Sequence, residues 1–382
     1  MQTGPFGSQL HAADYSEEGI PVVMPQDMAD GRIVCDRIAR VSETHVHKLK
    51  RHVLRAGDLV FSRRGDVTRF AVVTENEVGW LCGTGSIRIR MNCPDVLVSY
   101  ARRYLQQAEV GAWLLNEAKG VTMPNLNTQI IRALPFVFPP LPEQRRIAAI
   151  LDQAETLRTQ RRAALAQLDI LAQSIFLDMF GDPVSNPKRW SVASLTEVCH
   201  CYSGGTPSKA NAGFWEGPLP WFSAKDMKAD DLFDSEDHIA EAVPRTSTLK
   251  LLPANTVAIV VRGMILAHTF PVCVLRIPAT INQDLKALLP IRQIEPQFLA
   301  SCLRSQSKYV LDKVSEAGHG TKRLDAQGLQ KVRVLLPPEK LQQTFASRIQ
   351  AIEALKATHR AALAELDALF ASLQHSAFRG EL

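Results

Sequence analysis

Arg162-Ala163-Ala164-Leu165-Ala166-Gln167-Leu168-Asp169 returns near the end of the chain as Arg360-Ala361-Ala362-Leu363-Ala364-Glu365-Leu366-Asp367, 198 residues later. That interval is about half of the 382 residues, so it predicts one duplicated unit rather than two unrelated domains. The register continues outside the alanine-rich segment. Arg64-Gly65 meets Arg262-Gly263, Leu126-Asn127 meets Leu324-Asp325, and Pro139-Pro140 meets Pro337-Pro338, all at 198, while Asp27-Met28 and Asp226-Met227 fall at 199. Order and spacing persist although most intervening residues differ.

The repeated segment sits inside a heptad pattern. From Leu141 to about Phe180, Ile147, Ala154, Leu168 and Ile175 fall seven or fourteen apart, with Ile150, Leu157, Ala164 and Leu171 three residues further on. Shifted by the same interval, the C-terminal stretch offers Phe345, Ile352, Leu366 and Leu373, with Leu355, Ala362 and Leu369 on the second row. The residues expected to pack are therefore Ile147, Leu157, Leu168, Leu171 and Ile175 on one helix and Ile352, Leu355, Leu366, Leu369 and Leu373 on the other. At the centre both seams turn polar, at Arg161 and His359, either as partly solvated positions or as a register-fixing pair. A helix of about 40 residues spans ~60 Å, too long for one ordinary domain to cover. Helix on helix within the chain is the simplest burial, and if the two pack antiparallel the pair is a spacer.

Ahead of each helix the pattern changes to short apolar runs punctuated by Gly, Pro and Asp. Pro21–Met24, Leu59–Phe61, Phe70–Val73 and Ile87–Arg90 read as strands and 96–118 as a helix. Leu219–Phe222, Val257–Val261 and Val272–Leu275 with a helix over 296–313 repeat the plan. The expected fold is α+β: two mixed α/β domains, 1–138 and 181–336, separated by two long antiparallel coiled-coil helices, 139–180 and 337–382, with an internal pseudo-two-fold repeat. One asymmetry stands out. Lys188-Arg189-Trp190-Ser191-Val192 through Tyr202 precede the glycine-rich turn of the second half, whereas only Met1-Gln2-Thr3 precede Gly4. The first domain is thus expected to lack about one strand and one helix, the start being lost or misassigned, or the gap being filled by another chain or by the C-terminal tail.

With 46% hydrophobic and 22% charged residues, the chain can bury substantial cores. No apolar run approaches ~20 residues and no basic-then-apolar leader opens the chain, so a soluble, cytoplasmic protein with no membrane partner is expected. The seven cysteines are odd in number and scattered without a CxxC pair, which suits reduced thiols. Cys199-His200-Cys201 reads as strand packing, since no second ligand pair stands at metal spacing. A net charge of +5 permits nucleic-acid binding without requiring it.

Taken together, Gly4-Pro5-Phe6-Gly7-Ser8-Gln9-Leu10, Gly57-Asp58-Leu59-Val60-Phe61-Ser62-Arg63-Arg64-Gly65, Pro139-Pro140-Leu141-Pro142-Glu143-Gln144, Gly204-Gly205-Thr206-Pro207-Ser208 and Ala377-Phe378-Arg379-Gly380-Glu381-Leu382 resemble the recurrent segments of the specificity subunit of type I restriction-modification enzymes. The resemblance covers essentially the whole chain and rests on order and duplication. It implies two target recognition domains, each reading half of a bipartite double-stranded DNA sequence, with paired helices setting the gap. It also implies docking of two modification (methyltransferase) subunits and, with them, the restriction (translocase/endonuclease) subunits. No cofactor belongs to this chain on that reading, since S-adenosylmethionine, ATP and Mg would serve the partner subunits.

Base readout needs donors that meet groove edges, so basic and amide residues near punctuated loops are the candidates for DNA contact. They are Arg63, Arg64, Arg69, Asn125 and Asn127 in the first half and Lys225, Lys228, Arg262, Lys322 and Arg323 in the second. Arg64 and Arg262 recur at one register position, which suits a shared role such as phosphate positioning. Two rival readings are a nuclease and a coiled-coil scaffold that binds protein. Pro94-Asp95 with Glu117-Ala118-Lys119 imitates a metal-binding nuclease pattern, but it closes a helix, and Glu316-Ala317-Gly318 opposite lacks the lysine. Gly318-His319-Gly320-Thr321-Lys322 has the wrong spacing for a phosphate loop, and Asn186-Pro187-Lys188-Arg189 falls short of a methyltransferase loop. No catalytic residue is expected in the chain.

Overall fold

Short apolar runs, buried on both faces, form an antiparallel hairpin of Leu59–Ser62 and Phe70–Val72, with Leu59 opposite Val72 and Phe61 opposite Phe70. Ser86–Ile89 and then Gln2–Thr3 extend it into a four-stranded sheet. The second half builds the same core: Thr256–Val260 pairs with Val272–Leu275, then Leu285–Pro290 and Cys199–Ser203 are added on the same side. Smaller mixed sheets lie beside these, around Ile20–Val23 with Leu81–Cys82 and around Leu219–Phe222 with Thr280–Ile281, each containing one parallel pairing.

The computed structural model describes residues 1–6, 9–34, 38–118, 124–316 and 320–382, which form two units: Met1–Arg161 with Ala362–Leu382, and Arg162–Ala361. Gly7-Ser8, Cys35, Lys119 and Ala317-Gly318-His319 of the sequence reading lie outside the described residues. The helix expected over 96–118 is two helices, Val98–Leu105 and Ala108–Glu117, with the break at Gln106-Gln107. Its counterpart also divides, into Pro296–Ser305 and Ser307–Leu311.

Repeated motifs acquire physical roles. At Gly4 and at Gly204 a β-carbon would lie 1.9 Å from a carbonyl oxygen of a crossing chain, Gly83 and Ile281 respectively, so only glycine fits. Asp27 and Asp226 each turn a carboxylate back onto the amide three residues earlier, Met24 and Ser223, and Met28 and Met227 beside them are buried. After each Pro-Pro stop comes a buried glutamine. Gln144 accepts from the Leu97 amide at 2.8 Å and donates to Pro139 O at 2.7 Å, and Gln342 repeats this with Glu295 at 3.1 Å and Pro337 at 2.9 Å. This clamp ties the start of each long helix to the mixed domain before it.

The long helices are Leu141–Phe180 and Glu339–Arg379. In the first unit, 141–161 of one helix pairs with 362–379 of the other, where Arg158 Nε meets Asp367 Oδ1 at 2.5 Å and the guanidinium also lies over Phe370. In the second unit the same bond recurs at the shifted positions, Lys356 Nζ to Asp169 Oδ1 at 2.6 Å, and both cations also bind the glutamate three residues earlier, Glu155 and Glu353. The pairing is antiparallel in both units. Ile147 and Ile352 are buried in it, and Leu168, Ile175 and Leu373 pack at its margins, against the core clusters of their own units. Leu157, Leu171, Leu355 and Leu369 are exposed instead, because a two-helix pair covers a narrow stripe and their row lies outside it. By length and composition the helix Leu141–Phe180 is apolar enough to cross a membrane, although charged and polar residues interrupt it and it holds no unbroken apolar run of the expected length. It ends, however, with Phe176 and Phe180 fully buried among Phe298 and Phe345 of the second unit's core.

The expected asymmetry is present. In the second unit Val192–Ser194 pairs with Arg333–Leu335 and continues into the helical turn Leu195–Val198. In the first unit the corresponding 135–137 is not a strand, and Val137 and Phe138 are exposed. One edge of this segment is occupied, Tyr100 and Tyr104 donating hydroxyl bonds to Val137 O and Pro135 O at 2.8 and 3.0 Å. The C-terminal tail packs nearby, Phe378 meeting both tyrosine rings edge-on and Arg146 donating to Leu382 O, but it adds no strand.

Candidate nucleic-acid interface

Each main hairpin ends in a tip, and a second segment is pinned against it. In the first unit Arg64 bridges Asn125 in antiparallel fashion and the Leu126 amide donates to Arg63 O at 2.9 Å. In the second, Arg262 bridges Arg323, and the Leu324 amide donates to Val261 O, also at 2.9 Å. The backbone geometry is therefore shared, as are Arg64 and Arg262, while the side chains beside them differ.

These bridges bring Arg63, Arg64 and Asn125 together in one unit and Arg262, Lys322 and Arg323 together in the other. Arg64, Arg262 and Arg323 are exposed, and none has a salt-bridge partner among the described residues. Arg63 and Asn125 are half-buried, with Nε and Oδ1 respectively enclosed and unpartnered among the described residues. Lys322 binds Glu316 at 2.8 Å, and that ammonium holds the Glu316 carboxyl below its ordinary range.

The remaining candidates make bonds within the chain. Asn127 caps the helix Thr128–Ala133, its Oδ1 accepting from the Gln129 and Ile130 amides at 2.8 and 2.9 Å, and Asp325 caps Ala326–Lys331 in the same register. Arg69 is bound to Asp66 within its own tip at 3.1 Å. Lys225 lies between Asp237 at 2.9 Å and Glu236 at 3.2 Å, and Lys228 shares Glu236. The hydrogen bonds that the Lys225 ammonium donates to Asp237 and then Glu236 raise its pKa above the ordinary value. Sequence spacing missed the apolar residues Met264 and Ile265 at the second tip and the helix-pair ions Arg158 and Lys356. The 198-residue register was the signal that could have found the ions.

Cys199 and Cys201 lie on the strand Cys199–Ser203 and pack against the second core, where burial pushes the Cys199 thiol up to about 12. No cluster of His, Cys, Asp and Glu able to hold a metal occurs among the described residues.

The class defined by these features is a duplicated pair of mixed α+β units joined through long helices, each unit carrying a cationic hairpin tip. The chain belongs to the type I restriction modification DNA specificity domain family, whose model matches residues 8–167 and again 187–368. It is similar to the EcoR124I/EcoR124II specificity subunit of Escherichia coli, 32% identical over 212 residues, 54% of this chain and 52% of that one. A putative type I restriction enzyme MjaX specificity subunit of Methanocaldococcus jannaschii is 20% identical over 358 residues, 88% of this chain and 81% of that one. The chain spans about half the length of the first of these relatives. In fold it resembles a chain solved in work on complex assembly and conformational transition of the type I R-M system, with a TM-score of 0.58 at 22% identity over 95% of this chain and 92% of that one. It also resembles the type I restriction-modification S subunit from M. genitalium, with a TM-score of 0.54 at 14% identity over 98% and 92%.

Proposed function

We propose that the chain is the non-catalytic DNA sequence-recognition subunit of a type I restriction-modification complex in the cytoplasm. Residues 1–138 and 181–336 act as the two target recognition domains, and 139–180 and 337–382 as the helices that space them. Each domain reads one half of a bipartite, asymmetric duplex target, and the assembly docks two modification subunits and the restriction subunits, which supply the chemistry. The observation that carries this reading is the repeated pinned tip, with exposed arginines at Arg64 and at Arg262 and Arg323 on one backbone plan. Unlike side chains on like backbones are what two different half-sites require.

The test is to map methylated adenines genome-wide with and without this chain in the presence of its modification subunits. One split motif is expected, modified only when the chain is present and lost when Arg262 and Arg323 are both changed to alanine. DNA affinity should also fall steeply with salt. Retention of protein partners with salt-insensitive or absent DNA binding would support the scaffold reading instead.

A further inference from the structure

The two tips differ most at the residue after the shared glycine. In the first unit Asp66 follows Gly65 and is closed on itself, accepting from the Thr68 amide and hydroxyl and pairing with Arg69. In the second, Met264 and Ile265 follow Gly263, 62% and 37% exposed, while Leu266 beside them is buried at 2%. Single exposed apolar side chains are ordinary on any surface. Here two adjacent ones are held rigidly. Met264–Ala267 is a 3-10 turn anchored by Leu266, with the Leu266 amide on Gly263 O and the His268 and Thr269 amides on Ile265 O. Gly263 has φ 138°, a conformation closed to L side chains, and its amide donates to Lys322 O at 3.0 Å. The turn is thus clamped to the strand carrying Arg323, between two exposed arginines.

A cationic rim around an apolar point has a complement in the major groove of duplex DNA. The phosphates answer the arginines, and the thymine C5-methyl is the apolar group that the major groove displays. We propose that Met264 and Ile265 are specificity-determining residues that contact a thymine methyl in the half-site read by the second unit. The first unit, with the Asp66–Arg69 pair at the same place, reads its half without such a contact. This inference rests on the DNA-recognition reading above.

The experiment uses the full chain with its modification subunits present. Target duplexes are first selected from a random pool, and failure to recover a split motif would count against the recognition reading itself. Each thymine of the recovered motif is then replaced by uracil, which removes only the methyl group. Wild type is expected to bind about four-fold more weakly at one or two thymines of one half, the worth of about one buried methylene each. The double variant M264A/I265A should bind thymine and uracil duplexes alike at those positions while keeping its preferences in the other half, which shows that it is folded. The inference is overturned if the variant retains the wild-type thymine preference everywhere, or if neither half-site holds a methyl-sensitive thymine. Equal loss on thymine and uracil duplexes would also overturn it, pointing to a wedge between base steps instead.

Discussion

His52 shows how one buried side chain sets a pH limit on the first unit. Its imidazole is only 2% exposed, and burial, then the charges of Arg51 and Arg88, lower its pKa from the ordinary 6.5. Above that value the ring is neutral in both folded and unfolded chains. As pH falls below it, the unfolded chain takes the proton first, so stability declines until the lower folded pKa has also been passed. Thermal unfolding followed from pH 7.5 to 5 should show a fall in Tm that His52→Gln flattens, and an unchanged slope in the variant would refute the assignment. At this scale the sequence was read unevenly, for physical reasons. In the sequence Asn127 carries no mark of a helix cap, and only the bonds to Gln129 and Ile130 show that it is one. Lys225 looked free because the carboxylates that neutralise it, Glu236 and Asp237, follow after an intervening strand, Asp231–Leu232. The equivalent placing of Arg64 and Arg262 was legible, since position in a duplicated register survives when side-chain surroundings do not.

Among the elements, the helix pair offers the sharpest energetic test. Lys356 is 4% exposed at its side chain while its partner Asp169 keeps much of its hydration, so the pair falls between a buried and a surface ion pair. Lys356→Ala should cost the second unit about 1–2 kcal/mol in urea unfolding, with Lys356→Met costing less because it keeps the aliphatic stem. Equal losses in the two variants would mean that the charge matters and the packing of the stem does not, and no loss in Lys356→Met would mean the reverse. Both long helices were legible because a heptad pattern sustained over 40 residues has no strand alternative. The break at Gln106-Gln107 was not, since no glycine or proline marks it and apolar spacing runs on through Tyr104, Leu105, Val110 and Leu114. Likewise, heptads alone gave no means of telling the buried row from the exposed row of Leu157, Leu171, Leu355 and Leu369. That depends on how many helices meet, which a single helical pattern does not encode.

For the molecule as a whole, the proposed spacing role makes a measurable demand. Inserting one heptad into both long helices at matched levels adds about 10 Å of helix, or about three base pairs of gap. The methylated motif should keep both half-sequences and change only its unspecified interval, and a motif with an unaltered interval would end the spacer reading. A last consequence concerns the order in which the chain takes shape. The second unit is contiguous, Arg162–Ala361, whereas the first needs Ala362–Leu382, whose Phe370 and Ala377 are buried in its core. Synthesis proceeds from the N-terminus, and domains generally close as their residues emerge. Here the unit that begins earlier must wait for residues 362–382, made after the whole of the second unit, before its core is complete. Its open hydrophobic surface in that interval makes the first unit the one more exposed to aggregation at the ribosome.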